Sequence, residues 1–120
     1  MPHLTIEYSP NLGAFPEAQA AAELNASVCA SPEVLDEADL KTRFVRCAPT
    51  FQIGTVLAGR AVVHAQLRLL AGRSPEAKQD LAGRVASVLR RVTPRPDGVM
   101  VQLSVEIVDM DRPSYVKERL

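Results

Sequence analysis

The sequence has no tryptophan and few aromatic residues, with only three phenylalanines and two tyrosines among 120 residues. It also has no excess of either charge, because 14 lysines and arginines balance 14 aspartates and glutamates. A chain without excess positive charge is not expected to bind nucleic acid or an anionic membrane surface as its main partner. No apolar run approaches the roughly 18 residues of a membrane-spanning helix, so no membrane segment is expected.

Cysteine is equally scarce. Cys29 and Cys47 stand apart, without a CxxC pair or neighbouring histidines, so neither a disulfide nor a metal site is expected. The first residues lack the basic and then apolar segments of a secretory signal. These features favour reduced, buried thiols in a cytoplasmic protein.

What the sequence does contain is a repeated pattern of strands and helices. The length predicts a single domain, 1–120, and the pattern divides it into similar halves at about 1–56 and 57–120. Each half is predicted to be a β-α-β unit. The predicted elements are a strand over His3–Tyr8, a helix from about Phe15 to Ala30, a strand over Leu40–Cys47, a strand over Ala61–Leu70, a helix starting with Ser74 as its cap and ending before Pro94, and a strand over Val99–Val108.

The order of elements predicts the fold class. A β-α-β crossover makes its two strands parallel and is right-handed, and Pro16-Glu17-Ala18-Gln19 recurs as Pro75-Glu76-Ala77-Lys78. We therefore expect an α+β fold in which two β-α-β units form one four-stranded sheet with both helices on one face. Alternation leaves a polar face opposite the helices, either solvated or buried between subunits. Its predicted residues are Thr5, Glu7, His64, Gln66, Arg68, Gln102, Ser104 and Glu106.

Pro2 is the first candidate for chemistry. Initiator methionine is usually removed before a small residue, which leaves a proline with a free secondary amine. A free α-amino group has a pKa of about 7.7–8.0, and an apolar, cation-lined pocket lowers that pKa. A base poised near the working pH suits general base catalysis. Many proteins begin Met-Pro without any such role, so the dipeptide alone does not decide the matter.

Basic residues form the second candidate group. Lys41 and Arg43 are two apart on a predicted strand and project from one face, while Arg73 precedes the second helix. Arginine binds carboxylates through a planar fork, and a helix start favours anions. Such a group fits a multiply charged acid and a developing enolate. The alternative is a set of solvated surface charges.

The remaining polar residues suggest less. His3 and His64 lie on separate strands without ligand-like spacing, which favours structural or surface roles over metal binding. Asp36, Glu37 and Asp39 are interpreted as a solvated loop or short helix rather than catalytic groups.

Five segments of the sequence are informative when they are taken together. They are Met1-Pro2-His3-Leu4-Thr5-Ile6-Glu7-Tyr8, Asp39-Leu40-Lys41-Thr42-Arg43, Val63-His64-Ala65-Gln66-Leu67, Ala71-Gly72-Arg73-Ser74-Pro75-Glu76 and Leu103-Ser104-Val105-Glu106-Ile107. In this order they resemble the 5-carboxymethyl-2-hydroxymuconate delta-isomerase family of the tautomerase superfamily, and the resemblance covers nearly the whole chain.

The resemblance implies a cytoplasmic homotrimer with its sheets inside and chemistry that needs no cofactor. It implies an intramolecular oxidoreductase that transposes C=C bonds, converting a 2-hydroxymuconate to its 2-oxo-3-ene isomer. The implied substrate is a small unsaturated acid with three carboxylates, formed in aromatic catabolism during homoprotocatechuate degradation.

The resemblance also implies roles for single residues. Pro2 matches the general base, Arg73 matches a carboxylate-binding arginine, and Arg43 matches another. Lys41 stands where characterised members have an arginine, and lysine lacks the bidentate fork. That departure keeps two alternatives open: a related tautomerase acting on a phenylpyruvate-like enol or in dehalogenase-like chemistry, and a non-catalytic trimeric binding protein.

Overall fold

Two consecutive β-α-β segments make up the chain in the computed structural model, which describes residues 1–120. The order is β1 (His3–Tyr8), α1 (Glu17–Cys29), β2 (Lys41–Arg46), β3 (Arg60–Leu70), α2 (Pro75–Val92) and β4 (Met100–Met110). Short 3₁₀ turns lie at Pro10–Leu12, Glu37–Asp39 and Arg112–Ser114. The predicted elements are all present, and their ends differ from prediction by no more than two residues.

The four strands form one mixed sheet in the order β2-β1-β3-β4. Each crossover joins a parallel pair, β1 with β2 and β3 with β4, whereas the central pair β1 and β3 is antiparallel. In this register His3 lies between Lys41 and Arg68 on its two neighbouring strands. The expected α+β fold, a single compact domain with one four-stranded sheet and two helices, is confirmed.

One face of the sheet forms the core. Alternate residues of β1 and β3 point toward both helices and are buried, as period-two patterning requires. Fully burying a leucine or valine side chain contributes about 1.5–3 kcal/mol, so this cluster is the main source of stability. Its fully buried members include Leu4, Ile6, Leu24, Val28, Val63, Leu67, Leu81, Val85 and Leu89.

The ends of α2 follow from its sequence. Ser74 caps the helix, its hydroxyl oxygen accepting from the backbone N–H of Ala77 at 3.1 Å, and Pro75 occupies the first helical position. The helix stops at Val92, just before Thr93 and Pro94. By contrast α1 begins at Glu17 rather than the expected Phe15, because Pro16 stands at its N-cap with non-helical torsions.

The opposite face of the sheet is polar, as the alternation predicts. His64 on β3 lies 2.7 Å from the Ser104 hydroxyl through Nδ1 and 2.7 Å from the Glu106 carboxylate through Nε2.

The thiols of Cys29 and Cys47 are both free, and they are half-buried, whereas the sequence predicts fully buried thiols. Neither helix combines the length and apolarity that a bilayer crossing needs.

Candidate active site

Pro2 lies directly before β1, where β1 and β2 begin. It is buried, and its carbonyl oxygen accepts a hydrogen bond from the backbone N–H of Lys41 at 3.1 Å. This bond extends the parallel ladder by one residue, so the sheet holds Pro2 in place. Beside it is a cavity of about 150 Å³ with walls formed by Met1, Pro2, Glu33, Val34, Leu35, Asp39 and Arg73.

Arg73 reaches this cavity from the turn after β3. Gly72 in that turn has φ of 120°, a conformation that glycine adopts at little steric cost. The Arg73 guanidinium donates to the carbonyl oxygens of Leu70 at 2.8 Å and Glu33 at 3.2 Å. Its Nε lies 3.3 Å from the Glu33 carboxylate, yet this buried N–H has no well-aligned acceptor. Arg73 is thus fixed by backbone carbonyls and keeps a hydrogen-bond donor unused.

The amino group at the start of the chain has a mixed electrostatic environment. The Met1 nitrogen lies 3.8 Å from Asp39 Oδ2. Burial is the main cause that lowers the pKa of this amine; Asp39 opposes it, and the charges of Lys41, Lys117 and Arg73 add to it. A lowered pKa increases the neutral fraction near pH 7, and only the neutral amine accepts a proton.

Lys41 and Arg43 are placed differently from Pro2 and Arg73. Lys41 Nζ donates to the carbonyl oxygen of Asp39 at 2.7 Å. Arg43 lines a separate hollow of about 290 Å³ together with His3, Arg68, Met110 and Tyr115. Because side chains alternate along a strand, residues 41 and 43 share the polar face with residue 3, whereas Pro2 lies toward the helices. Within one chain the structure brings Pro2 and Arg73 together and leaves Arg43 apart.

His3 connects Arg43 to the C-terminal segment. Arg43 Nη2 lies 3.2 Å from His3 Nδ1, and His3 Nε2 lies 2.9 Å from the Tyr115 hydroxyl. Since guanidinium only donates, Nδ1 is the acceptor and Nε2 carries the proton. Burial, followed by the charges of Lys41 and Arg43, lowers the pKa of His3, which agrees with a neutral ring. No group of three or more His, Cys, Asp or Glu side chains is arranged to hold a metal ion.

A wider cleft adjoins the Pro2 cavity. It measures about 400 Å³ and shares Glu33, Leu35 and Arg73 with that cavity as common walls. Its other walls are Pro32, Gly72, Ser74 and Arg112. The two spaces are therefore neighbours, and Arg73 lines both of them.

Sequence reasoning missed a cluster of three charged residues beside the Pro2 cavity: Asp39, Lys117 and Arg119. Asp39, interpreted as part of a solvated acidic cluster, lines the Pro2 cavity and forms an ion pair with Lys117. Arg119 also reaches Asp39, at 3.4 Å. These contacts join positions about eighty residues apart, and no local spacing could reveal them.

The comparison with protein families assigns the chain. The model of the family described as 5-carboxymethyl-2-hydroxymuconate isomerase matches residues 2–119. The chain belongs to the 5-carboxymethyl-2-hydroxymuconate isomerase family. This membership places it among isomerases and confirms the resemblance inferred from the sequence. A comparison with curated proteins gives no match.

Solved structures show the same fold. A 5-carboxymethyl-2-hydroxymuconate isomerase from Deinococcus radiodurans R1 is 25% identical, with 99% of this chain and 90% of that chain covered and a TM-score of 0.84. A 5-carboxymethyl-2-hydroxymuconate delta-isomerase is 20% identical, covering 100% and 88%, with a TM-score of 0.80. A fused 4-OT asymmetric trimer is 18% identical, covering 94% and 91%, with a TM-score of 0.70. The isomerase family fold therefore extends over the whole chain.

Proposed function

We propose that this chain ketonises 5-carboxymethyl-2-hydroxymuconate or a similar unsaturated 2-hydroxy polycarboxylic acid, with Pro2 as the general base once Met1 has been removed. The observation that carries the proposal is the position of Pro2 in a member of an isomerase family. Pro2 is buried, its carbonyl oxygen accepts a hydrogen bond from Lys41 of β2, and it lies beside a cavity that Arg73 also lines. On this proposal the reaction is a step of homoprotocatechuate degradation in the cytoplasm.

The proposed reaction moves one proton and needs no external oxidant or reductant. The neutral Pro2 nitrogen takes the proton of the 2-hydroxyl group, the C–O bond becomes a carbonyl, and the adjoining double bonds shift by one position. The ammonium form of Pro2 then returns the proton to a carbon of the substrate. Arg73 binds a substrate carboxylate and stabilises the enolate charge that develops between these two steps.

Removal of Met1 is part of the proposal for a structural reason. Met1 is itself a wall of the Pro2 cavity, so its departure both frees the secondary amine and enlarges the space beside it. The new amine would lie deeper than the Met1 nitrogen, because Pro2 is buried and Met1 is half-exposed. Burial lowers the pKa of an amine, which favours the neutral form of the base.

Arg43 and Lys41 enter the proposal through a second subunit. Arg43 lies on the polar sheet face, away from the Pro2 cavity of its own chain, so it serves catalysis only if another copy brings its own cavity to that face. Two similar structures are trimers by name, a fused 4-OT asymmetric trimer and a fused 4-OT symmetric trimer. We therefore propose a homotrimer with the sheets inside, in which Arg43, helped by Lys41, binds carboxylate for a neighbouring site.

The experiment combines mass spectrometry with kinetics. Intact mass should show a chain without Met1, and Pro2→Ala should lower kcat/KM for ketonisation by about 10²–10⁴-fold, the range of general base catalysis. Pro96→Ala, in the loop after α2, is the matched proline control and should keep full activity. A retained Met1, or an unchanged rate in Pro2→Ala, would contradict the mechanism and favour the non-catalytic binding role.

A substrate series then separates this reaction from that of other tautomerases. Enols with one, two and three carboxylates should be ketonised with kcat/KM rising in that order. A preference for a phenylpyruvate-like enol with a single carboxylate would overturn the proposed substrate class while leaving the proline base intact.

A further inference from the structure

The cleft beyond the Pro2 cavity contains an arginine that the proposed mechanism does not use. Arg112 lies in the 3₁₀ turn Arg112–Ser114 that follows β4. Its Nε donates to the carbonyl oxygen of Ala71 at 2.5 Å, which anchors the guanidinium against the β3–α2 turn. Arg112 has no carboxylate partner within ion-pair distance, whereas Arg73, which lines the same cleft, pairs with Glu33.

The guanidinium of Arg112 lies against the β3–α2 turn. A Cβ at Gly72 would meet Arg112 Nη2 at 3.6 Å and Nε at 3.8 Å, so Arg112 packs directly over this glycine. Arg112 lies over Gly72, and Arg73 follows Gly72 in the chain and lines the Pro2 cavity. The two arginines therefore stand on either side of one turn, and both line the same cleft.

An apolar residue lines the same cleft as these two arginines. Leu35 lines both the Pro2 cavity and the wider cleft, and it is 96% exposed. An exposed leucine at the lip of a charged cleft is suited to cover a hydrocarbon segment of a ligand. Pro2 thus lines the first space, Arg112 lines the second, and Arg73 and Leu35 line both.

We propose that Arg112 is a specificity-determining residue that binds a second carboxylate of a substrate already held by Arg73, while Leu35 covers the carbon chain between the two groups. The inference rests on the proposed function, since it extends the site that begins at Pro2. It assigns Arg112 to one of the carboxylates that the proposed polycarboxylic substrate carries. Arginine suits this role because its fork matches a carboxylate even when one N–H is used elsewhere.

The kinetic test uses Arg112→Gln and enols that differ in carboxylate number. KM for a tricarboxylate enol should rise by about three- to tenfold, the loss expected for one partly exposed charge-assisted contact, with kcat unchanged. KM for a monocarboxylate enol should stay constant. Arg112→Lys should recover part of the loss because it keeps the charge without the fork. Arg91→Gln, which removes a paired surface arginine on α2, is the matched control.

A binding test separates this inference from the proposed function. Tricarballylate, a saturated tricarboxylate that cannot be isomerised, should bind more weakly to Arg112→Gln than to the unsubstituted protein by calorimetry. Its affinity should also fall as salt rises. Equal tricarballylate affinity in both proteins overturns the inference, even if Pro2→Ala abolishes activity. An active Pro2→Ala variant overturns the proposed base, whereas the tricarballylate comparison still decides the role of Arg112.

Discussion

At the scale of single residues, the Asp39 carboxylate contacts three cationic groups: the Met1 amino group, Lys117 and Arg119. Its Oδ2 faces the amino group at 3.8 Å, and its Oδ1 accepts from Lys117 and lies 3.4 Å from Arg119. The hydrogen bond from Lys117 is the main cause that lowers the pKa of Asp39 to about 2. Asp39 is therefore ionised at every working pH and acts as a fixed negative charge, which Lys117 compensates.

Lys117→Gln should move the acid limb of the pH–rate profile. Loss of the Lys117 cation leaves Asp39, which lines the Pro2 cavity, with Arg119 as its remaining side-chain cation. The less compensated carboxylate should raise the pKa of the mature Pro2 amine, so that less of the amine is neutral at a given pH. We expect kcat/KM to fall about three- to tenfold on the acid limb and to be equal on the alkaline plateau. Lys78→Gln removes a similar ion pair with Asp109 and should change neither the acid limb nor the alkaline plateau. An acid limb that stays in place in Lys117→Gln would refute this role.

The position of Arg73 could be predicted from the sequence, because the Gly-Arg-Ser-Pro turn indicates both a helix start and an arginine that faces anions there. We expect Arg73→Lys to raise KM more for enols with several carboxylates than for those with one, since the fork is lost and the charge kept. Arg84→Lys serves as the control, because this half-buried arginine of α2 pairs with Asp80 and donates to the Ser27 carbonyl oxygen, and it lines neither cavity near Pro2. Equal losses for all enols would mean that Arg73 supports the fold and does not bind carboxylate.

At the scale of elements, the two ends of α2 differ in how well their polar groups are satisfied. The Ser74 hydroxyl oxygen accepts from the helix start, and this cap is readable from the sequence. At the other end the hydroxyl of Thr93 is buried without a partner, although its backbone N–H bonds to Leu89 at 3.0 Å. The pattern Val-Thr-Pro reveals the helix end but not the burial, which depends on how β4 packs beside it.

Substitutions at the two ends should have opposite effects on stability. Thr93→Val removes an unsatisfied buried hydroxyl and should raise the free energy of unfolding by about 1 kcal/mol. Ser74→Ala removes the cap and should lower it by about 1 kcal/mol. Urea titrations measure both. A destabilised Thr93→Val would show that the hydroxyl has a partner in solution.

At the scale of the whole molecule, alternation along the strands predicted which face is polar but not what covers that face. One chain's pattern carries no information about a neighbouring copy, so the sequence could not tell which Pro2 cavity Arg43 serves. The same limit applies to the C-terminal segment. Tyr115 contacts His3 on β1, and Lys117 contacts Asp39 in the turn before β2. No periodic pattern in the sequence predicts these contacts.

Light scattering tests the proposed trimer. The particle should have three times the chain mass of 13.0 kDa. Gln66→Trp places a bulky group at the centre of the polar face and should release monomers if that face is buried between subunits. Gln79→Trp, on α2, should leave the mass unchanged. A trimer that tolerates Gln66→Trp would favour a solvated polar face.

The proton affinity of the Pro2 nitrogen is the property on which catalysis depends most. It can be measured directly by ¹⁵N NMR titration of protein labelled with ¹⁵N-proline, and independently from the acid limb of kcat/KM against pH. If neutral Pro2 is the base, both titrations should give the same pKa, below the ordinary α-amino value, and activity should rise as pH passes through it. A nitrogen that stays protonated while kcat/KM reaches its plateau would contradict the account.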